Sequence, residues 1–172
     1  MPVYALGELT PEIHPHAFVH PDAVIIGAVR VGDRASIWPA AVLRGDYGRI
    51  EIGERTSIQD GTVIHTTEEW PTLVGADCVV GHNAHLEGCT IGPGCLIGSG
   101  SIVLNRATVQ AGAGVGAAAL VVEDATVPTG HIAMGVPARS RPAPDLPAWV
   151  AEAVGLYVEL AARYMAELRR VA

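Results

Sequence analysis

Aromatic side chains are scarce in this 172-residue chain: they make up 5%, with a single Phe. Large ring anchors therefore cannot dominate the core, which has to be narrow and regular. Charge is thin as well. Asp, Glu, Lys and Arg total 17%, too few for a disordered polyelectrolyte. Basic residues are outnumbered, 11 against 18 acidic, for a net charge of -7. With no basic run, nucleic acid is excluded as a partner. No apolar stretch approaches the ~20 residues of a membrane helix, so no membrane partner is expected. The start, Met1-Pro2-Val3-Tyr4, lacks a basic region followed by an apolar run, and no signal peptide is expected. Three cysteines, Cys78, Cys89 and Cys95, form an odd set without zinc-finger spacing. They exclude a disulfide framework and point to a reducing, cytoplasmic compartment, with the thiols as small core residues.

What the chain does contain is 49% apolar residues, 20 Gly and 12 Pro, arranged with a period. Aliphatic markers recur every six residues: Ile13, Val19, Ile25, Val31, Ile37, Leu43; then Ile52, Ile58, Ile64; then Val74, Val80, Leu86; then Ile91 through Val127. Four residues after a marker the residue is usually small, such as Ala17, Ala35, Thr62, Cys78 or Ala113. Six fits neither a helix nor an ordinary strand. It fits an all-β fold, a parallel β-helix of hexapeptides, in which each hexad supplies a short strand and a corner and three hexads make one coil. Extra residues after Leu43 and Ile64, and one missing after Leu86, all fall on the third hexad of a coil. About six coils are predicted, from Ile13 to Thr126.

The pattern dissolves at Pro128-Thr129-Gly130. A β-helix domain over 1–141 is therefore expected, followed by a Pro-rich linker and a C-terminal α-helix over 142–172 that packs along the prism or on a neighbouring subunit. Asp145 is placed as its cap, with Pro147 in the first turn. Trp149 is expected in packing. The period of helical apolar residues runs through Val150, Val154, Tyr157, Leu160, Ala161, Tyr164 and Leu168.

Stacking such coils gathers chemistry. The place after the marker on the third face reads Arg44, His65, Glu87, Leu104, Val122. On the second face it reads Trp38, Gln59, Gly81, and one place further Asp60 lies below His82. Arg44, Asp46, Gln59, Asp60, His65, His82 and Glu87 thus fall within three consecutive coils near one edge. Imidazoles and carboxylates converging there suggest a divalent metal. His82 sits across the corner from His65, so a neighbouring chain is a natural source of the missing ligand. His14, His16 and His20 form a second set on paper, but their His-Pro context suits polar corners of the first coil.

The motifs Arg44-Gly45-Asp46, Gln59-Asp60-Gly61, His65, Gly81-His82 and Gly88-Cys89-Thr90-Ile91-Gly92, with the ending Gly135-Val136-Pro137-Ala138-Arg139, resemble the gamma-class carbonic anhydrase family over nearly the whole chain. The resemblance implies a left-handed winding and a homotrimer with the metal between subunits. It also implies reversible hydration of carbon dioxide to bicarbonate by water activated on Zn2+, with Fe2+ or Co2+ as variants. His65 and His82 match two of the family's three metal-binding His. The third falls at Glu87, and His85 is the alternative ligand. By the same resemblance Gln59 orients water or substrate, Arg44 and Asp46 pair across the interface, Asp60 steadies its neighbours and Glu68 moves protons. Tyr47 stands where another shuttle carboxylate would be. An anionic Glu87 leaves less positive charge on the ion, so weaker hydration activity than in a three-His relative is expected. Arg44 with Asp46 also suits a plain interface ion pair, and Gln59 with Asp60 also suits corner backbone bonding. Two other functions remain open on this fold: a hexapeptide-repeat acyltransferase using acyl-coenzyme A, and a non-catalytic metal-binding or assembly trimer.

Overall fold

The computed structural model describes residues 2–172. They form a left-handed parallel β-helix, closed at its C-terminal end by a short antiparallel strand and flanked by one α-helix. The hexapeptide markers set the register. On the first face Ile13 pairs in line with Val31, then Ile52, Val74, Ile91, Val109 and Val127. On the second face the line is Val19, Ile37, Ile58, Val80, Ile97, Val115 and Ala133. On the third it is Ile25, Leu43, Ile64, Leu86, Val103 and Val121. Two long strands, Val24–Val31 and Val42–Ile52, turn the corner between the third face of one coil and the first face of the next.

The solenoid is longer than the sequence pattern predicts: about seven turns rather than six. Val127 and Ala133 continue the first and second faces, and Ala133 fills its marker place while only 2% exposed. A methyl group stands there in place of the larger marker, and so the rule of large aliphatic markers loses this coil. Arg139–Pro142 then pairs antiparallel with His131–Met134.

Inward markers are fully buried: Ile25, Ile37, Leu43, Ile58, Ile64, Leu86 and Ile97 are all 0% exposed. The small residues at the fourth place are buried with them. Thr56 and Thr62 donate from Oγ1 to the carbonyls of Gly75 and Gly81 one coil on, at 2.7 and 2.8 Å, so their hydroxyls are satisfied inside the prism. Glycine after a marker has a steric reason at Gly53. A Cβ there would lie 2.4 Å from the backbone nitrogen of Ala76 in the next coil.

The helix Leu146–Glu167 lies on the second face. It docks through Val150 and Val154 on Val79, and through Ala161, Tyr157 and Tyr164 on Phe18 and Trp38. Phe18, Trp38, Tyr157 and Tyr164 thus form one aromatic clasp, with Trp38 5.1 Å from Tyr164 and 5.2 Å from Phe18 between ring centres. Trp38 Nε1 donates to Ser36 Oγ and Ser57 Oγ. Asp145 occupies the cap position, but its side chain makes no capping hydrogen bond. Trp149 is 53% exposed, contrary to the expectation that it packs. No helix is long and apolar enough to cross a membrane.

Candidate functional site

The third face presents its marker-plus-one residues outward because Leu43, Ile64 and Leu86 beside them point inward. The predicted column is present: Arg44 pairs in register with His65, and His65 with Glu87. A continuous polar chain runs across it. Arg44 Nη1 donates to Asp46 Oδ2. Asp46 Oδ1 is 3.1 Å from His65 Nε2, and His65 Nδ1 is 3.3 Å from Glu87 Oε1. The other Glu87 oxygen lies 3.2 Å from His85 Nε2. Burial pushes the Glu87 carboxyl up, but hydrogen bonds from His85 and His65 outweigh it, and the group sits below the ordinary carboxylate range. Asp46 behaves alike: burial raises it, and bonds from Arg44 and His65 bring it below its ordinary value.

Thr72, which sequence reasoning passed over, holds this column together. Its buried hydroxyl donates to the His65 carbonyl and accepts the Gly88 N–H at 2.8 Å, tying the strand of His65 to the strand of Glu87. The signal was present in the chain: a Thr standing where the inserted segment after Ile64 rejoins the repeat.

Other predicted residues lie apart. They sit across the corner from the column, as the register places His82 relative to His65. His82 and Asp60 pair at 3.0 Å, both half exposed, on the side of the second face. Buried Gln59 lies with them, next to Tyr157 of the helix. Burial and the Asp60 charge raise the Tyr157 hydroxyl, and a hydrogen bond with Gln59 partly offsets this. Gln59, Gly81, His82, Trp149, Tyr157 and Leu160 line a mainly apolar cleft of about 720 Å3 between helix and β-helix. Glu68 stands exposed in the bend after His65 and, among the described residues, makes no ion pair or hydrogen bond to the column. Arg44 meets Asp46 within its own chain. Cys78, Cys89 and Cys95 are free and buried, as core thiols should be; burial pushes Cys89 up to about 12.

The donors suit a divalent ion in kind and spacing. Two imidazoles and a carboxylate are a zinc-type set, and tetrahedral bonds of about 2.1 Å place neighbouring donors about 3.4 Å apart. The His65–Glu87 and His85–Glu87 separations, 3.3 and 3.2 Å, match that edge. One chain does not complete a site here, however. His65, His85 and Glu87 do not bring one donor each within 4.8 Å of one another. His82 is the spare imidazole, turned outward beyond the corner.

Comparison with known proteins agrees with the architecture. The model of the bacterial transferase hexapeptide family (six repeats) matches residues 71–105. The crystal structure of a hexapeptide transferase family protein from Anaplasma phagocytophilum superposes with a TM-score of 0.91 at 34% identity, covering 95% of this chain and 98% of that one. The chain belongs to the hexapeptide transferase family of left-handed β-helices. Carnitine operon protein CaiE of Escherichia coli (strain K12) is 45% identical over 109 residues, covering 63% of this chain and 56% of its own length. The chain thus spans about half the length of the curated relatives it matches. A perosamine N-acetyltransferase variant from Caulobacter crescentus, in complex with CoA and GDP-perosamine, superposes with a TM-score of 0.55 at 26% identity, covering 77% of this chain and 57% of that one.

Proposed function

We propose that this chain is a divalent-metal-dependent hydratase of the carbonic anhydrase type, acting on carbon dioxide and bicarbonate as a homotrimer. The observation that carries the proposal is the Glu87 carboxylate held between His65 and His85 at ligand-edge distances. His65 and Glu87 of one chain, with His82 of a neighbour, would hold the ion, zinc or alternatively Fe2+ or Co2+; His85 is the second candidate for the third place. When bound, the ion supplies the Lewis acidity that makes water acidic enough to react near neutral pH. The chain's own residues supply order. Asp46 fixes the orientation of the His65 ring and Arg44 balances the Asp46 charge. Thr72 fixes the backbone beneath both ligands. Gln59 offers an amide to orient a small polar substrate, and Asp60 sets the His82 ring. Glu68, exposed and without a contact to the column, is left to pass protons to solvent.

Metal content per chain, measured on protein purified without chelator or metal-affinity tag, is the first test. About one ion per chain that is lost in His65→Ala, together with loss of carbon dioxide hydration in that variant, supports the proposal. A fully metal-loaded protein that is inert toward carbon dioxide overturns it.

A second reading is acyl transfer from acyl-coenzyme A. The names of the relatives favour it, as does the apolar cleft that ends at the His82–Asp60 pair. A histidine oriented by a carboxylate is the arrangement of a general base. Saturable coenzyme A binding to metal-free protein, weakened by Tyr157→Asp in the cleft, would support this reading over the first.

A further inference from the structure

We propose that the corner joining the first and second coils is a separate divalent-metal site, formed by His14 Nδ1, His16 Nδ1 and Asp33 Oδ1. Among the described residues, this is the group whose donor atoms, one from each of three side chains, all lie within 4.8 Å of one another. His20, which the sequence groups with the two imidazoles, is not part of it: its ring turns to Asp22. Asp33 comes from the next coil, where Val31 stacks on Ile13, so only folding brings it in.

The chemistry of the contacts points to a cation. Each imidazole Nδ1 lies 3.1 Å from the same carboxylate oxygen. The backbone N–H of His16 donates to His14 Nδ1 at 3.3 Å, which makes that nitrogen an acceptor. It nevertheless faces Asp33 Oδ1, a second acceptor. Lone pairs that converge in this way are stabilised by a positive ion between them. The two imidazole–carboxylate separations are close to the donor edge of a tetrahedral site, about 3.4 Å. Pro15 restricts the backbone between the two histidines, so the pair is preorganised. Arg34 Nε holds the other Asp33 oxygen at 3.2 Å, which leaves Oδ1 turned toward the rings. The backbone N–H of Arg55, one coil further on, bonds the Asp33 carbonyl at 2.8 Å. Arg34 and Arg55 are the neighbouring cations that limit affinity.

Two imidazoles and one carboxylate suit zinc and its nitrogen-binding neighbours rather than calcium or magnesium. Three protein donors leave a position for water. The ion would clasp residues 14–16 to the second coil and so fasten the N-terminal end of the solenoid. This site shares no residue with the third-face column, and it stands whether or not that column binds metal.

The test is zinc titration of the tag-free full chain against a chromophoric chelator, in the His65→Ala background to silence the third-face column. The expected result is one retained zinc per chain. Affinity should fall at least about tenfold in His14→Ala and in Asp33→Asn, the loss that even an outer partner of a metal ligand can cause. Zinc should raise the Tm of the His65→Ala parent and not of these variants. His16→Gln changes an exposed ring and serves as the variant least able to disturb folding. Unchanged zinc stoichiometry, affinity and Tm shift in folded His14→Ala, Asp33→Asn and His16→Gln proteins would overturn the proposal. Loss of zinc from the wild type on His65→Ala reports only on the third-face column, so the two sites fail separately.

Discussion

The same column of the third face has two characters. In the middle coils it carries Arg44, His65 and Glu87; in the later coils it carries Leu104 and Val122. The inward residues beside them do not change in kind: Leu43, Ile64 and Leu86 are followed by Val103 and Val121, all 2% exposed or less. Inward places specify the solenoid, and outward places are free to carry chemistry. The middle coils differ in a second way. Their third hexads hold the insertions, and the inserted segment returns through Thr72, which braces the column. The later coils have no such segment between the third and first faces.

The contrast can be tested at neighbouring positions. The largest effect is expected from Gly53→Val, whose side chain would collide with the backbone of Gly75 and Ala76. Circular dichroism of the purified variant should show loss of the folded β-helix. Leu86→Ala should cost about 2–5 kcal/mol, because the residue is wholly buried. Glu87→Gln, one residue on and facing outward, should stay within about 1 kcal/mol of the parent while weakening metal binding. Denaturant midpoints and metal content measured on both variants would undo the comparison if the two costs proved equal.

Glu87→His restores a neutral ligand to the column. Under the proposed function it should raise carbon dioxide hydration at neutral pH, read by stopped-flow with a pH indicator. A variant that keeps its metal and gains no activity would refute the electronic argument.

A smaller effect is expected from acid. Asp46 and Glu87 lie below their ordinary values of 3.8 and 4.5 in the folded chain. A depressed folded value means that the unfolded chain takes up protons first. Their contribution is therefore complete above the ordinary values and is lost as pH falls through the lower folded ones. Thermal melts from pH 6 to pH 2 (a range of about four units) should show a steeper acid decline for the wild type than for Asp46→Asn/Glu87→Gln. Parallel curves would show that the column adds no pH-dependent stability. The smallest change is expected from Gly100→Ala. Its Cβ would meet nothing within 4 Å, but φ is +67°, so about 1 kcal/mol of backbone strain is expected in a denaturation curve.

The repeat was legible because its rule is local: an aliphatic residue every sixth place and a small one four further on. It failed at Ala133, where a small residue takes the large one's place. The vertical neighbours Arg44, His65 and Glu87 were legible too, since register alone stacks them. It also placed His82 across the corner from His65, and in the fold the two open onto different sides. What the register could not supply was the contacts that the side chains make. His85 stood as the alternative ligand, but its contact with the second Glu87 oxygen emerges only with the side chains in position. Asp33 carries no signal in the sequence, and only the folded coils set it against His14 and His16.

The closing antiparallel strand bears on how the molecule ends. A stack of in-register parallel strands is also the geometry of a growing fibril, and each open end presents unpaired N–H and C=O groups to the next chain. Arg139–Pro142 folds back over His131–Met134, so the last rung of the second face meets a strand of opposite direction from its own chain. That strand is fully exposed and carries Arg139, Arg141 and Pro142. Two cations repel an incoming edge, and proline has no N–H to offer it. Replacing Arg139 and Arg141 by Val should increase light scattering on storage, and an unchanged signal would discount the idea. The segment acts as a terminator: a polymerisable template is kept finite by a short strand of its own chain.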